Sequence, residues 1–189
     1  EGDPQAGEGE TPVVETNNVA SIDGQGYASL DAAIQAAASG ATVTLLDNVE
    51  LTATLTISNK DITLDVDSNT LTVSVSNGDG IVVENATLTL ASSGTGKYVF
   101  KCSARNSDGI YVNNTDASTT STLNLNGDVE INVQASVNSA IHAYATAGNA
   151  IVNINGGKIT ATGSGKQFKA IHVDQNATLN MAGGELDIT

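Results

Sequence analysis

Apolar and polar residues alternate in short runs along most of this chain, and the runs recur at a near-constant interval. Ile81, Ile110, Ile141 and Ile171 each open a run, and the steps between them are 29, 31 and 30 positions. A recurrence of that length marks a stacked-repeat architecture. Two-residue alternation is the period of a strand rather than a helix. Asn, Gly, Asp and Ser separate the runs, and these residues tolerate turn geometry. Three runs fall in each repeat: 81–83, 87–90 and 97–102, then 110–112, 122–125 and 129–133. Two further sets follow at 141–143, 151–154 and 159–161, and at 171–173, 179–181 and 186–188. Earlier runs at 43–46, 55–57 and 62–66 place the start of the repeat near residue 52, because Leu55 to Ile62 is the same seven-position step as Ile81 to Leu88. The pattern predicts an all-β fold, a three-sheet parallel β-helix (a solenoid) of about five turns. At the parallel strand spacing of about 4.8 Å this would be a rod roughly 25 Å long.

One stretch breaks the alternation. Over residues 28–39, Leu30, Ala33, Ile34 and Ala37 form an apolar stripe at helical spacing, Ser29 is placed to cap it and Gly40 to end it. Such a helix is expected to close the open end of the stack, whose backbone groups would otherwise invite edge-to-edge association. Residues 1–18 are acidic and poor in apolar side chains, and read as a flexible leader ahead of a β-helix domain over 19–189. The last residues, Leu186-Asp187-Ile188-Thr189, are still repeat sequence. Solenoids need capped ends, so the expectation is a domain truncated at its C-terminal end within a longer chain, or an end covered by another copy. Extra residues around 116–120 and the stretch 163–167 lengthen two corners, where solenoids often carry their sites.

The alternation also sorts residues by face. Ile81, Ile110, Ile141 and Ile171 stack inward, with Val83, Val112, Ala143 and Val173 beside them; Leu88, Leu123, Val152 and Leu179 form a second inward ladder. In the run 97–102, Tyr98, Phe100 and Cys102 point inward and Lys97 and Lys101 outward. Asn124, Asn153 and Asn180 line up outward behind Thr89 as an amide ladder. Asn85 and Asn176 are placed at left-handed corners. They and Asn113 also stand in glycosylation-type triplets, which recur because the repeat does.

Composition narrows the core and the partners. The chain is 40% hydrophobic but only 3% aromatic, with no Trp, so Ile, Val, Leu and Ala must fill the interior. A formal charge of −14 argues against nucleic acid and against an anionic membrane surface. No run of 18 apolar residues exists, so no membrane-embedded helix is expected. No signal peptide is visible, and a first residue of Glu fits a mature or trimmed start. The single cysteine, Cys102, excludes an internal disulfide and reads as a buried, inert thiol.

Candidate chemistry gathers on one outward column. Val82, Tyr111, His142 and His172 stack there, with Glu84, Asn113, Tyr144 and Asp174 in the adjacent column. Both histidines and two of the four tyrosines share this face. Aromatic surfaces beside polar donors suit sugar rings, so Tyr111, His142, Tyr144, His172, Asp174, Glu84 and Asn113 are the candidate ligand-binding residues. The same column also reads as plain coverage of a sheet face. His142 and His172, a turn apart, could share a metal with Asp174 as third ligand; parallel projection and the lack of a fourth ligand weigh against it. Asp79 and Asp108 occupy equivalent positions before Gly-Ile, and Ca²⁺ is the cation such stacked carboxylates would accept; otherwise they, like Asp65 and Asp67, are solvated surface acids. No phosphate loop, nucleophile elbow or catalytic cluster is apparent, and no other cofactor is implied.

The runs Gly109-Ile110-Tyr111-Val112 and Ala170-Ile171-His172-Val173, each leading to Thr-Leu-Asn-Leu or Thr-Leu-Asn-Met, resemble right-handed parallel β-helix domains. Such domains occur in pectate-lyase-like proteins and in secreted surface proteins of Gram-positive bacteria. The segments 27–34 and 40–46 are similar to the cap helix and first strand that open many of them, so the resemblance covers about 27–189. It implies an extracellular, non-catalytic surface or adhesin-type domain that binds a polysaccharide, host glycan or glycoprotein. Two alternatives stay open: a polysaccharide lyase or hydrolase, and a purely structural stalk. The enzymes of that group carry an acidic calcium cluster with an Arg or Lys base, or several Asp on one sheet. Here the single arginine, Arg105, has only Lys101 near it in sequence.

Overall fold

The structure, a computed structural model, describes residues 17–104, 106–127, 129–135, 138–163 and 168–189. Of the expected leader over 1–18, residues 1–16 lie outside them, as do the loop residues 164–167 and Arg105. The chain opens with a hairpin, β1 (Ala20–Ile22) and β2 (Gln25–Tyr27), followed by helix α1 (Leu30–Ala36). Coils of three strands follow. They are β3 (Ala41–Leu45), β4 (Val49–Leu51) and β5 (Leu55–Ser58); β6 (Asp61–Asp65), β7 (Thr70–Val75) and β8 (Ile81–Glu84); β9 (Thr87–Ala91), β10 (Lys97–Cys102) and β11 (Ile110–Asn114). Next come β12 (Thr120–Leu125), β13 (Glu130–Ala135) and β14 (Ser139–Ala145); β15 (Asn149–Ile154), β16 (Lys158–Gly163) and β17 (Lys169–Val173); and finally β18 (Ala177–Met181) and β19 (Glu185–Ile188).

Every third strand stacks in parallel on its counterpart, giving a three-sheet parallel β-solenoid. One sheet runs β3-β6-β9-β12-β15-β18, a second β4-β7-β10-β13-β16-β19, and a third β5-β8-β11-β14-β17. The five strands of the third sheet span four coil-to-coil steps. The ladders foreseen from the 30-residue recurrence pair as expected: Ile110 lies between Ile81 and Ile141, and Leu123 between Leu88 and Val152. Ile81, Ile110, Ile141, Leu88, Leu123 and Val152 are fully buried. Each such side chain contributes about 1.5–3 kcal/mol on leaving water, so stacking alone explains the aliphatic positions. Tyr98 and Phe100 are the large rings inside, facing inward with Cys102 as the alternation requires.

Three features differ from the sequence expectation. The helix is shorter than residues 28–39: Ser29 does cap it, accepting the Ala32 N–H at 3.1 Å, but Ala37 turns extended at ψ 124° and Gly40 (φ 88°) sits in the turn beyond. Lys60 terminates it from a neighbouring coil, its Nζ reaching the carbonyls of Ile34 (3.0 Å) and Ala37 (3.2 Å). Leu30, Ala33 and Ile34 join the core, and the helix packs on β1, β2 and β3. Ahead of it, β1 pairs antiparallel with β3, extending the first sheet by a hairpin that the repeat spacing does not announce. Lastly, β4 and β7 are strands that the sequence reading leaves unassigned, although Leu71, Val73 and Val75 of β7 alternate inward as the later runs do.

Corners are closed by single left-handed residues. Asn59, Asn85 and Asn176 have φ of 55°, 50° and 52°, and each follows a strand of the third sheet.

Candidate functional site

The third sheet builds the candidate face. Tyr111 pairs with Val82 below and His142 above, and His142 pairs with His172. In the adjacent column Asn113 pairs with Glu84 and Tyr144, and Asp174 follows directly after β17. Every candidate ligand-binding residue therefore lies on one outward face, half-buried except for the exposed Asp174.

The rings are ordered along the axis. The His142 and His172 centroids are 4.4 Å apart with planes 15° from parallel. Tyr111 lies 5.1 Å from His142, and Tyr144 6.5 Å, each tilted by 40°. The inner faces of the two imidazoles thus cover each other, and the tyrosines are the rings turned away from that stack. Asn113 Nδ2 approaches Glu84 Oε1 at 3.5 Å along the lower edge. Burial raises the Tyr111 hydroxyl pKa, with Asp79 adding to the effect. Burial, then the neighbouring His142, lowers the pKa of His172 and favours its neutral form.

Asp79 and Asp108 are not solvated surface acids stacked side by side. Asp108 is 3% exposed. Asp79 Oδ1 accepts the Asp108 backbone N–H at 2.7 Å, and Asp108 Oδ1 accepts that of Ser139 at 2.8 Å. Each acid thus holds the next coil by its amide. The following glycines permit this approach: a Cβ at Gly109 would lie 2.6 Å from the Ala140 carbonyl oxygen. The second oxygen of Asp108 lies 2.9 Å from His142 Nδ1. Both Asp108 oxygens are therefore engaged by the protein's own polar groups. Burial raises the pKa of Asp79, and the Asp108 charge adds to the rise. Asp65 and Asp67 also serve the chain itself: Asp65 Oδ1 accepts the N–H groups of Asp67 and Ser93.

Cys102 is 2% exposed, and burial pushes its thiol up to about 12. That is an inert thiol, not a nucleophile. The amide ladder is present: Asn180 Nδ2 donates to Asn153 Oδ1 and Asn153 Nδ2 to Asn124 Oδ1, both at 2.8 Å, and Asn124 Nδ2 donates to Thr89 Oγ1 at 3.2 Å.

Two residues carry more than the sequence disclosed. Asp108 supports His142 from 34 positions away, and only the doubled Asp-Gly-Ile signalled a special place for it. Asn114, fully buried, organises the long corner that follows β11; in the sequence it stands only as the middle of a glycosylation-type triplet.

The molecule belongs structurally to the parallel β-solenoids, with a polar and aromatic strip on one sheet. No protein-family model, curated protein or solved structure matches the chain. No helix among the described residues is long and apolar enough to cross a membrane.

Proposed function

We propose that this is a non-catalytic, extracellular surface domain of the adhesin type that binds a glycan along the strip from Glu84 to Asp174. The observation that supports the reading most is the arrangement of Tyr111 and Tyr144 on successive coils, each turned 40° from the shared imidazole. Tilted rings offer an apolar shelf to a sugar's C–H face, and Glu84, Asn113 and Asp174 supply hydrogen-bonding groups beside it. The coil repeat of about 4.8 Å is comparable with the advance of one sugar unit along an extended polysaccharide. The stack of His142 on His172 narrows the sequence-based idea. Imidazole faces that cover each other leave the tyrosines as the stacking surface.

The test is a glycan array together with pull-down on insoluble polysaccharides. For a glycan that binds, Tyr111→Ala and Tyr144→Ala should each weaken binding about tenfold, since one aromatic contact contributes ~1.4 kcal/mol at most. Unchanged binding in both variants moves the ligand off this face. Uniformly negative arrays favour the structural stalk, and release of unsaturated sugar products favours a lyase.

A further inference from the structure

The histidine pair has a feature that glycan binding does not use. The Asp108 carboxylate can only accept hydrogen bonds. At 2.9 Å from His142 Nδ1 it therefore fixes that nitrogen as the donor, leaving Nε2 as the lone-pair nitrogen. His142 Nε2 is buried and has no hydrogen-bond partner, and the same is true of His172 Nδ1 one coil above. A buried polar nitrogen without a partner is uncommon and calls for an explanation. Asp174 stands next to the pair on the other side of the His172 ring, its Oδ2 4.0 Å from Nε2 rather than Nδ1. One ligand atom from each of His142, His172 and Asp174 falls within 4.8 Å of the others. An imidazole whose far nitrogen is held by a buried carboxylate is also the arrangement that orients metal-ligating histidines.

The geometry points to a binding site for a divalent late-transition metal, Zn²⁺ foremost, made by His142, His172 and Asp174, with Asp108 as the positioning residue behind His142. Two imidazoles and one carboxylate favour that class of ion over Ca²⁺ or Mg²⁺, which prefer all-oxygen shells. Ligand bonds of about 2.0–2.2 Å require the donor atoms to draw closer than they stand now. The rings stack at 4.4 Å and 15°, so their lone pairs run side by side and one ring must splay to converge on an ion. His172 can do so, because 27% of its side chain is exposed. Asp174, with half its side chain exposed, can follow. The net charge of −14 draws cations toward the whole molecule, but only this trio offers imidazole nitrogen. The inference stands independently of the glycan reading.

The experiment is titration calorimetry of the untagged, chelator-treated full chain with ZnCl₂, CaCl₂ serving as the control ion, and no glycan present. In parallel, side-chain nitrogen NMR follows the two imidazoles. One equivalent of Zn²⁺ should bind, shift the lone-pair nitrogens of both histidines and raise Tm with metal concentration. His172→Ala and Asp174→Asn, both half-buried or exposed and expected to fold, should weaken binding by about 100-fold and 10-fold. Asp108→Asn should weaken it by roughly 10–100-fold and change the His142 tautomer in the metal-free spectrum. Zn²⁺ binding that survives His172→Ala, equal affinity for Ca²⁺, or imidazole signals unmoved at millimolar Zn²⁺ would each overturn the assignment.

Discussion

Replacing Asn114 should damage the solenoid more than its place in a corner suggests. Its side chain is fully buried at the start of the long corner between β11 and β12. Nδ2 faces the carbonyls of Ala147 at 2.7 Å, Asp116 at 2.8 Å and Thr119 at 3.1 Å. Oδ1 accepts the hydroxyls of Thr119 at 2.9 Å and Ser121 at 3.1 Å. The two N–H donors and two accepted hydroxyls make four bonds, worth roughly 2–6 kcal/mol together at ~0.5–1.5 kcal/mol net apiece. The corner carbonyls regain water once the amide is gone, so Asn114→Ala should lose about 3 kcal/mol, the lower half of that range. At ~2–4 °C per kcal/mol for a chain of this size, Tm should fall by roughly 6–12 °C. Asn114→Asp preserves the shape but turns an oxygen toward three carbonyls, and should be worse than alanine at neutral pH. Thermal unfolding followed by circular dichroism, with amide exchange at residues 115–119 and 145–149, measures both. An aspartate variant as stable as the wild type, or an alanine variant within about 2 °C of it, refutes the argument that this amide holds the corner.

Two further outcomes follow from buried polar groups. Asp79 has a folded pKa raised above its unfolded value by burial, so the folded state holds its proton to higher pH than the unfolded chain does. Its contribution to stability is therefore fully present below the unfolded value near 3.9 and declines as pH rises through the folded value. Asp79→Asn keeps an acceptor for the Asp108 N–H and removes that decline, so it should gain stability relative to wild type as pH rises above about 4; a difference in Tm that does not vary with pH refutes this. The Tyr98 hydroxyl reaches the carbonyls of Leu64 at 2.6 Å and Ala91 at 2.8 Å, inside the first sheet's edge of the core. Tyr98→Phe should cost about 1–3 kcal/mol in a urea titration by leaving those carbonyls without the hydroxyl, and a change below 0.5 kcal/mol or so would show that they find other donors.

The repeat was legible in the sequence because a solenoid writes its geometry once per coil. A 30-residue recurrence with two-residue alternation fixes both which strands stack and which way their side chains point. Hence the pairing of Tyr111, His142 and His172, the inward Tyr98, Phe100 and Cys102, and the left-handed Asn85 and Asn176 could all be read without coordinates. The N-terminal hairpin and the shortened helix were not legible, since neither belongs to the recurrence. Asp108 was misjudged for a different reason. Alternation tells which side of a strand a residue faces, but Asp108 lies in the corner before β11, where a side chain can turn along the axis toward the next coil. Its role depends on the Ser139 amide and the His142 ring, which are 31 and 34 positions away.

The amide ladder on the first sheet has a direction. Asn180 donates to Asn153, Asn153 to Asn124 and Asn124 to Thr89; beside it, Asn155 donates to Asn126. Every link points its N–H toward the earlier coil, so the side-chain dipoles add along the rod, and bonds in such a chain polarise one another. The rod is therefore electrically polar on that flank in a way its net charge does not reveal. A further coil added above Asn180 would meet a polarised acceptor, and an asparagine there would lengthen the series in the same sense.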